Sequence, residues 1–145
     1  MPLYAAQLAD RDVARWLDDM CQRPLTSQQV EAFVFQNIWC RWAIECDGSF
    51  AGLTGLEPTQ ARGDTARFFI VVGRRELWKR GIGTVVLGRV LHEAFQTLGL
   101  RRVVSDYLEP NLASAAIHRR NGFVEEGRLR EDAWRDGRWV DRVLL

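Results

Sequence analysis

The chain is poor in everything that would point to a metal centre, a membrane span or a polyanionic partner. Cysteine is scarce: Cys21, Cys40 and Cys46 form no C-x-x-C pair and have no histidine at ligand spacing. A disulfide framework and a zinc site are therefore not expected, and no metal is. Charge of one sign is also lacking. The 20 Lys plus Arg against 19 Asp plus Glu leave a net +1, without the global electrostatic drive that nucleic-acid binders use. The longest apolar run, Phe68 to Val72, is far short of the roughly 20 residues a membrane helix needs. The N-terminus has no basic segment followed by an apolar stretch, so the expected location is cytoplasmic, with no nucleic-acid and no membrane partner. Internal repeats and low-complexity linkers are missing as well.

What remains is an ordinary globular composition, 47% hydrophobic and 27% charged over 145 residues, enough for one domain spanning 1–145 with a core that needs no staples. Asp10 can cap a short helix whose Val13, Trp16, Leu17 and Met20 form one apolar stripe, closed by Pro24. Thr26 and Gln29 fit a capping box at the start of a second helix through Val30, Phe33 and Val34. Asp47-Gly48, between Arg41–Cys46 and Phe50–Leu56, is a hairpin signal, because a type I′ turn needs positive φ at both central residues. Ala66 to Val72 reads as a central strand buried on both faces. Thr84 to Leu98 reads as a long helix with Leu87, Leu91, Ala94 and Leu98 on one face and an Arg89–Glu93 pair on another, stopped by Gly99. A strand at Val103–Tyr107, a helix from Asn111 to about Asn121, and a hairpin around Asp136-Gly137 complete the order. Its strands are expected near Val124–Leu129 and at Arg138–Leu145. This predicts an α/β domain with one mixed sheet.

The segment with chemical content is Arg74 to Thr84, between the central strand and the long helix. Gly81 and Gly83 let backbone approach a ligand, and the amides of Arg80 to Thr84 sit at a helix N-terminus, where unpaired N–H groups and the dipole attract phosphate. The two common nucleotide motifs fail here. A P-loop would need a Lys before the Ser or Thr, and a dinucleotide fingerprint would need a third glycine where Val86 stands.

Trp78-Lys79-Arg80-Gly81-Ile82-Gly83-Thr84, a tryptophan form of the pattern R/Q-x-x-G-x-G/A, resembles the acyl-CoA motif of the GNAT superfamily of N-acyltransferases. It is most similar to the ribosomal-protein and amino-sugar N-acetyltransferase branch. Asn111-x-x-Ser114 followed by His118-x-Arg120-x-Gly122-Phe123 resembles the second motif of that family, and the two stand in the right order. The ending, Glu126 to Arg130, Asp136-Gly137 and Asp141, resembles the branch too. The resemblance implies a GNAT-like domain with a mixed, mostly antiparallel, splayed central sheet and helices on both faces. It also implies acetyl-CoA as cosubstrate, its pantetheine between Phe68–Gly73 and Val103–Tyr107. By that likeness Val71 and Gly73 would pair with the pantetheine through their backbones. Arg80, Gly81, Ile82, Gly83 and Thr84 would hold the pyrophosphate, Asn111 would orient the pantetheine or a water near the thioester as part of the catalytic site, and Ser114 would sit one helical turn along the same face, beside the cofactor.

Transfer to an amine needs a way to take up a proton, a polarised carbonyl and an acid for the leaving thiolate. His118 stands where many members of the family carry a tyrosine acid, and imidazole can serve near neutral pH. The central strand carries no carboxylate in its middle. Glu57, Asp64, Asp106 and Glu109 are the acids near the expected cleft, and Asp106 is the first choice as base. Trp39, Trp42, Trp134 and Trp139 are candidate walls of an acceptor pocket, or else core or subunit contacts. The resulting expectation is an N-acetyltransferase acting by direct transfer to a primary amine, either a protein N-terminus or a small amine such as a nucleotide-linked amino sugar. The alternatives are a CoA-binding module without catalysis and a nucleotide-binding or purely structural domain. Exposed final strands allow a homodimer.

Overall fold

The computed structural model describes residues 2–36, 40–59 and 63–145. Helix α1 (Pro2–Ala9) opens the chain and was not expected from the sequence. Helix α2 (Arg11–Ala14) follows, with Asp10 capping it by accepting the Asp12 amide at 2.9 Å. The expected apolar stripe continues past α2 not as helix but through a 3₁₀ turn at Asp19–Gln22. There the Gln22 amide donates to the carbonyls of Ala14 (2.8 Å) and Leu17 (3.2 Å), satisfying groups that a longer helix would have used. Helix α3 (Ser27–Phe35) starts with the expected capping box, Thr26 Oγ1 accepting from the Gln29 amide and Gln29 Oε1 from the Thr26 amide.

Strands β1 (Cys40–Cys46) and β2 (Ser49–Pro58) form the first hairpin, with Asp47 at φ 52° and Gly48 at φ 69° as the type I′ geometry demands. Strand β3 (Thr65–Val72) pairs antiparallel with β2 and parallel with β4 (Arg102–Val104). Helix α4 (Ile82–His92) is the crossover between β3 and β4. It runs on through a π-helical turn, Glu93–Thr97, before Gly99 breaks it at φ 64°. The π turn inserts a residue into the helical period, so Leu98 rotates outward to 39% exposure while Leu87, Val90 and Ala94 stay in the core. Glu93 accepts from the Thr97 hydroxyl at 3.0 Å, and no Arg89–Glu93 ion pair forms among the described residues.

The segment expected as one strand is divided. After β4 the chain turns at Ser105, and β5 (Asp106–Leu108) leaves β3 to pair with β7 (Arg138–Leu144), which also pairs with β6 (Gly127–Arg135). Among the described residues the strands consequently form two sheets, β1-β2-β3-β4 and β5-β7-β6, rather than one. The β6–β7 turn has positive φ at Asp136 and Gly137, as expected. Strand β6 begins later than expected, and a bulge carries Glu131 at φ 50°. Helix α5 (Leu112–Arg120) connects β5 to β6 of the second sheet and packs on α4.

Alternation along β3 decides what lies on each face. Ala66 and Phe68 join Leu56, Leu87, Val90 and Ala94 in a core under α4. Val71 faces the other way, into a core with Tyr4, Leu8, Val13, Val30 and Val34 from α1, α2 and α3. Each fully buried aliphatic or aromatic side chain contributes about 1.5–3 kcal/mol, so both faces of β3 are held by burial. The fold is mixed α/β with helices on both faces. Among the described residues no helix is long and apolar enough to cross a membrane.

Candidate active site

Because β5 leaves β3, the edge of β3 beyond Arg67 has no strand partner. A cavity of about 610 Å³ occupies the gap. At one end it reaches Lys79, Gly81, Ile82, Gly83 and Thr84. Its walls include Asn111, Ser114, Ile117 and His118 of α5 and its cap. At the other end it reaches Val13, Trp16, Phe33, Arg67 and Phe69, on the opposite face of the sheet. One continuous space thus passes between the strands from the α4–α5 side to the α1–α3 side.

The α4 end is built for an anion. Gly81 takes φ 80° as the cap, a conformation that favours glycine, and the first helical bond, Val85 N–H to Gly81 O (3.1 Å), leaves the amides of Ile82, Gly83 and Thr84 without helical acceptors. Beside them Thr84 Oγ1 is buried with no hydrogen-bond partner, an unusual state for a native hydroxyl unless a ligand completes it. A Cβ on Gly83 would lie 3.3 Å from Ile117 Cγ2, so that glycine also lets α4 and α5 approach. Arg80 points away as an exposed side chain and does not line the cavity, although its neighbour Lys79 does.

The β3 edge is shifted by one residue from the expectation. Thr54 Oγ1 donates to Phe69 O (2.8 Å), Gly73 N–H donates to Ala51 O (2.8 Å), and Val71 O lies against Gly52, so residues 69, 71 and 73 turn their backbone groups toward β2. The groups facing the gap belong to Phe68, Ile70 and Val72. Val72 O accepts Trp78 Nε1 (2.8 Å) and Phe68 O lies 3.3 Å from Ser105 Oγ, which leaves Ile70 open on that edge. Val71 lines the cavity from the β3 strand; Gly73 does not, being packed on Gln7. Neither is placed to pair with a pantetheine arm through its backbone.

His118 is 3% exposed. Its Nδ1 lies 2.8 Å from the carbonyl of Ser114 and 3.3 Å from Ser114 Oγ; its Nε2 lies 2.8 Å from Ser105 Oγ. The ring stacks on Tyr107 and meets Phe68 and Phe123 edge-on. Burial pushes its pKa below the ordinary imidazole value, partly opposed by the bond to Ser114 and the charge of Asp106. Asn111 caps α5, its Oδ1 accepting the Ser114 amide at 3.1 Å. Asp106 is held on both oxygens at 2.5 Å, by Arg67 Nη2 and by Arg142 Nη1, and Arg142 also reaches Asp132 at 2.6 Å.

The remaining candidates divide. Glu57 lines the cavity but is paired with Arg41 at 2.9 Å; Asp64 and Glu109 do not line it. Trp42 packs against the core under α4, and Trp134 and Trp139 stack edge-on in the open, 53% and 55% exposed. Trp39 lies outside the described residues. The tryptophans that do line the cavity are Trp16 and Trp78. Ser105 was missed by sequence reasoning; the one signal for it is a small hydroxyl inside an otherwise apolar strand, Val103-Val104-Ser105.

A βαβ unit whose helix begins with free first-turn amides, beside a sheet that parts between β3 and β5, is the arrangement that the resemblance to the GNAT superfamily implies. The model of the acetyltransferase (GNAT) domain matches residues 1–124, and the chain belongs to that family: it is an acetyl-CoA-dependent N-acetyltransferase. Among solved structures it resembles a spermidine N-acetyltransferase from Vibrio cholerae in complex with CoA and spermine, at 21% identity and TM-score 0.82, over 99% of this chain and 86% of that one. It also resembles a GNAT-family acetyltransferase from Bacillus anthracis, at 16% identity and TM-score 0.81, over 99% and 85%. The residues present fit acetyl-CoA: the free first-turn amides and the orphaned Thr84 hydroxyl answer its phosphates, and the open Ile70 edge answers its amide-bearing arm.

Proposed function

We propose that this protein acetylates the primary amine of a small molecule or a protein N-terminus by direct transfer, with no covalent enzyme intermediate. The observation that carries this reading is the single cavity running from the α4 cradle, through the gap between β3 and β5, to the α1–α3 face. Acetyl-CoA supplies an activated acetyl group when bound. Lys79 to Thr84 would hold its phosphates, Ile70 would pair with its arm, and Ser114 and Asn111 would flank it. The amine enters from the α1–α3 side between Trp16, Phe33 and Phe69. Asp106 keeps unused lone pairs beyond its two arginine contacts and orients the amine rather than acting as a free base.

Three of the carboxylates lining the cavity, Asp12, Glu57 and Asp106, are already paired with Arg75, Arg41 and Arg67 plus Arg142. This favours an acceptor with one amine over a polycation, which would need those acids. Thermal melting with acetyl-CoA, CoA, ATP and NAD, followed by thiol release with a panel of monoamines, amino-sugar nucleotides, N-terminal peptides and spermidine, tests the reading. Stabilisation by the CoA species alone, with turnover of a monoamine, is expected. Binding of acetyl-CoA without turnover of any amine would favour the alternative, a CoA-binding module that has lost catalysis.

A further inference from the structure

We infer that Ser105 and His118 form a proton relay at the parting of the strands, with Ser105 Oγ the catalytic atom that faces the reacting amine and His118 the base behind it. This rests on the transferase reading above, and it assigns a role to a residue that no motif marks.

Ser105 sits at the vertex where β4 ends and β5 begins. Its backbone is pinned on both sides by Leu145, the amide donating to Leu145 O at 3.1 Å and the carbonyl accepting from the Leu145 amide at 2.9 Å. The side chain is therefore aimed by fixed backbone; the residue is 6% exposed and lines the cavity. Its hydroxyl has one proton and two possible acceptors, His118 Nε2 at 2.8 Å and Phe68 O at 3.3 Å. The shorter contact takes it if Nε2 carries no proton. That condition follows from the other side of the ring, since a carbonyl only accepts and the 2.8 Å contact to Ser114 O therefore places the imidazole proton on Nδ1. His118 is thus a neutral imidazole with its basic nitrogen directed at Ser105.

In the forward step Ser105 Oγ accepts a proton from the attacking amine while its own proton moves to His118 Nε2. As the C–N bond forms and the C–S bond breaks, the reverse movement returns a proton through Ser105 to the departing sulfur. One proton leaves the amine and one reaches the thiolate, and the protein ends as it began. The relay supplies the base for which the central strand carries no carboxylate. The charged or titratable groups facing it are Tyr107, stacked on the ring, and Asp106 with its arginines Arg67 and Arg142. Burial disfavours the imidazolium, in the same direction as the neutral ring that the hydrogen bonds require.

The experiment measures kcat, KM for acetyl-CoA and the pH profile for the wild type, Ser105→Ala, His118→Gln and the double variant, with acetyl-CoA-induced melting shifts as the check on folding. Each single variant should lose about 10²–10⁴-fold in kcat with KM for acetyl-CoA unchanged, the double variant should lose no more than either, and the acid limb of the profile should vanish in both. Wild-type kcat in Ser105→Ala, or an acid limb that persists in it, would overturn the relay. A nitrogen-15 imidazole spectrum reads the same geometry without turnover. An Nδ1–H tautomer supports the relay; an Nε2–H tautomer overturns it, even if the wild type acetylates no amine and the transferase reading itself fails.

Discussion

Asn121 Nδ2 donates to Thr84 O at 3.1 Å, tying the end of α5 to the first turn of α4. The same amide donates to Ile117 O at 2.9 Å, so one side chain fixes the distance between the anion cradle and the helix that carries His118. Asn121→Ala should cost about 1 kcal/mol of stability and should weaken acetyl-CoA binding as well, because the cradle loses its tie. Calorimetric titration alongside chemical denaturation checks this. A stability loss with unchanged affinity would mean that the tie is only structural.

Thr84 separates binding from folding in the opposite direction. Its buried Oγ1 has no partner, and an unsatisfied buried hydroxyl costs about 1–3 kcal/mol. Thr84→Val should raise the melting temperature of the free protein while shrinking the shift produced by acetyl-CoA. Gly83→Val is a poorer probe, since Ile117 at 3.3 Å makes any larger residue press α4 from α5.

The two groups of the Asn111 amide can be tested separately. Its Oδ1 caps α5, and on the proposed reading its Nδ2 is left for the bound substrate. Asn111→Asp keeps a cap acceptor and loses the donor, whereas Asn111→Ala loses both, at about 1 kcal/mol for the cap. If the amide group matters in turnover, both variants lose kcat but only Asn111→Ala loses stability. Full activity in Asn111→Asp would assign the residue to capping alone.

His118 also links stability to pH. Its pKa in the folded chain lies below the unfolded value of 6.5 because burial disfavours the cation. Between those two values the unfolded chain binds the proton more readily, so stability falls as pH drops through that window and recovers on return toward 6.5. Denaturation midpoints across this range should slope for the wild type and be flatter for His118→Gln. Equal slopes would contradict the burial effect.

Signals confined to a few neighbouring residues were legible in the sequence. The Thr26–Gln29 capping box, the Asp47-Gly48 and Asp136-Gly137 turns, and the glycine turn into α4 each depend on local backbone chemistry, and each stands where the sequence puts it. The division at Ser105 was not legible, because Val103 to Tyr107 has one continuous strand pattern and only tertiary pairing with β7 draws its second half away. The slip from Ile70 to Val71 has a similar origin. Alternation tells which residues share a face, but which backbone edge meets β2 depends on register. Helix α1 lacks a stop signal and was missed, and Trp134 and Trp139 look like pocket walls until the hairpin turns them outward.

On the proposed reading, the parting of β3 and β5 opens the gap from both faces and gives each substrate a door of its own, so neither must leave for the other to enter. Acetyl-CoA can remain seated while acceptors sample the far side. Initial-rate lines at several fixed concentrations of one substrate should therefore intersect rather than run parallel, and inhibition by CoA should compete with acetyl-CoA without competing with the amine.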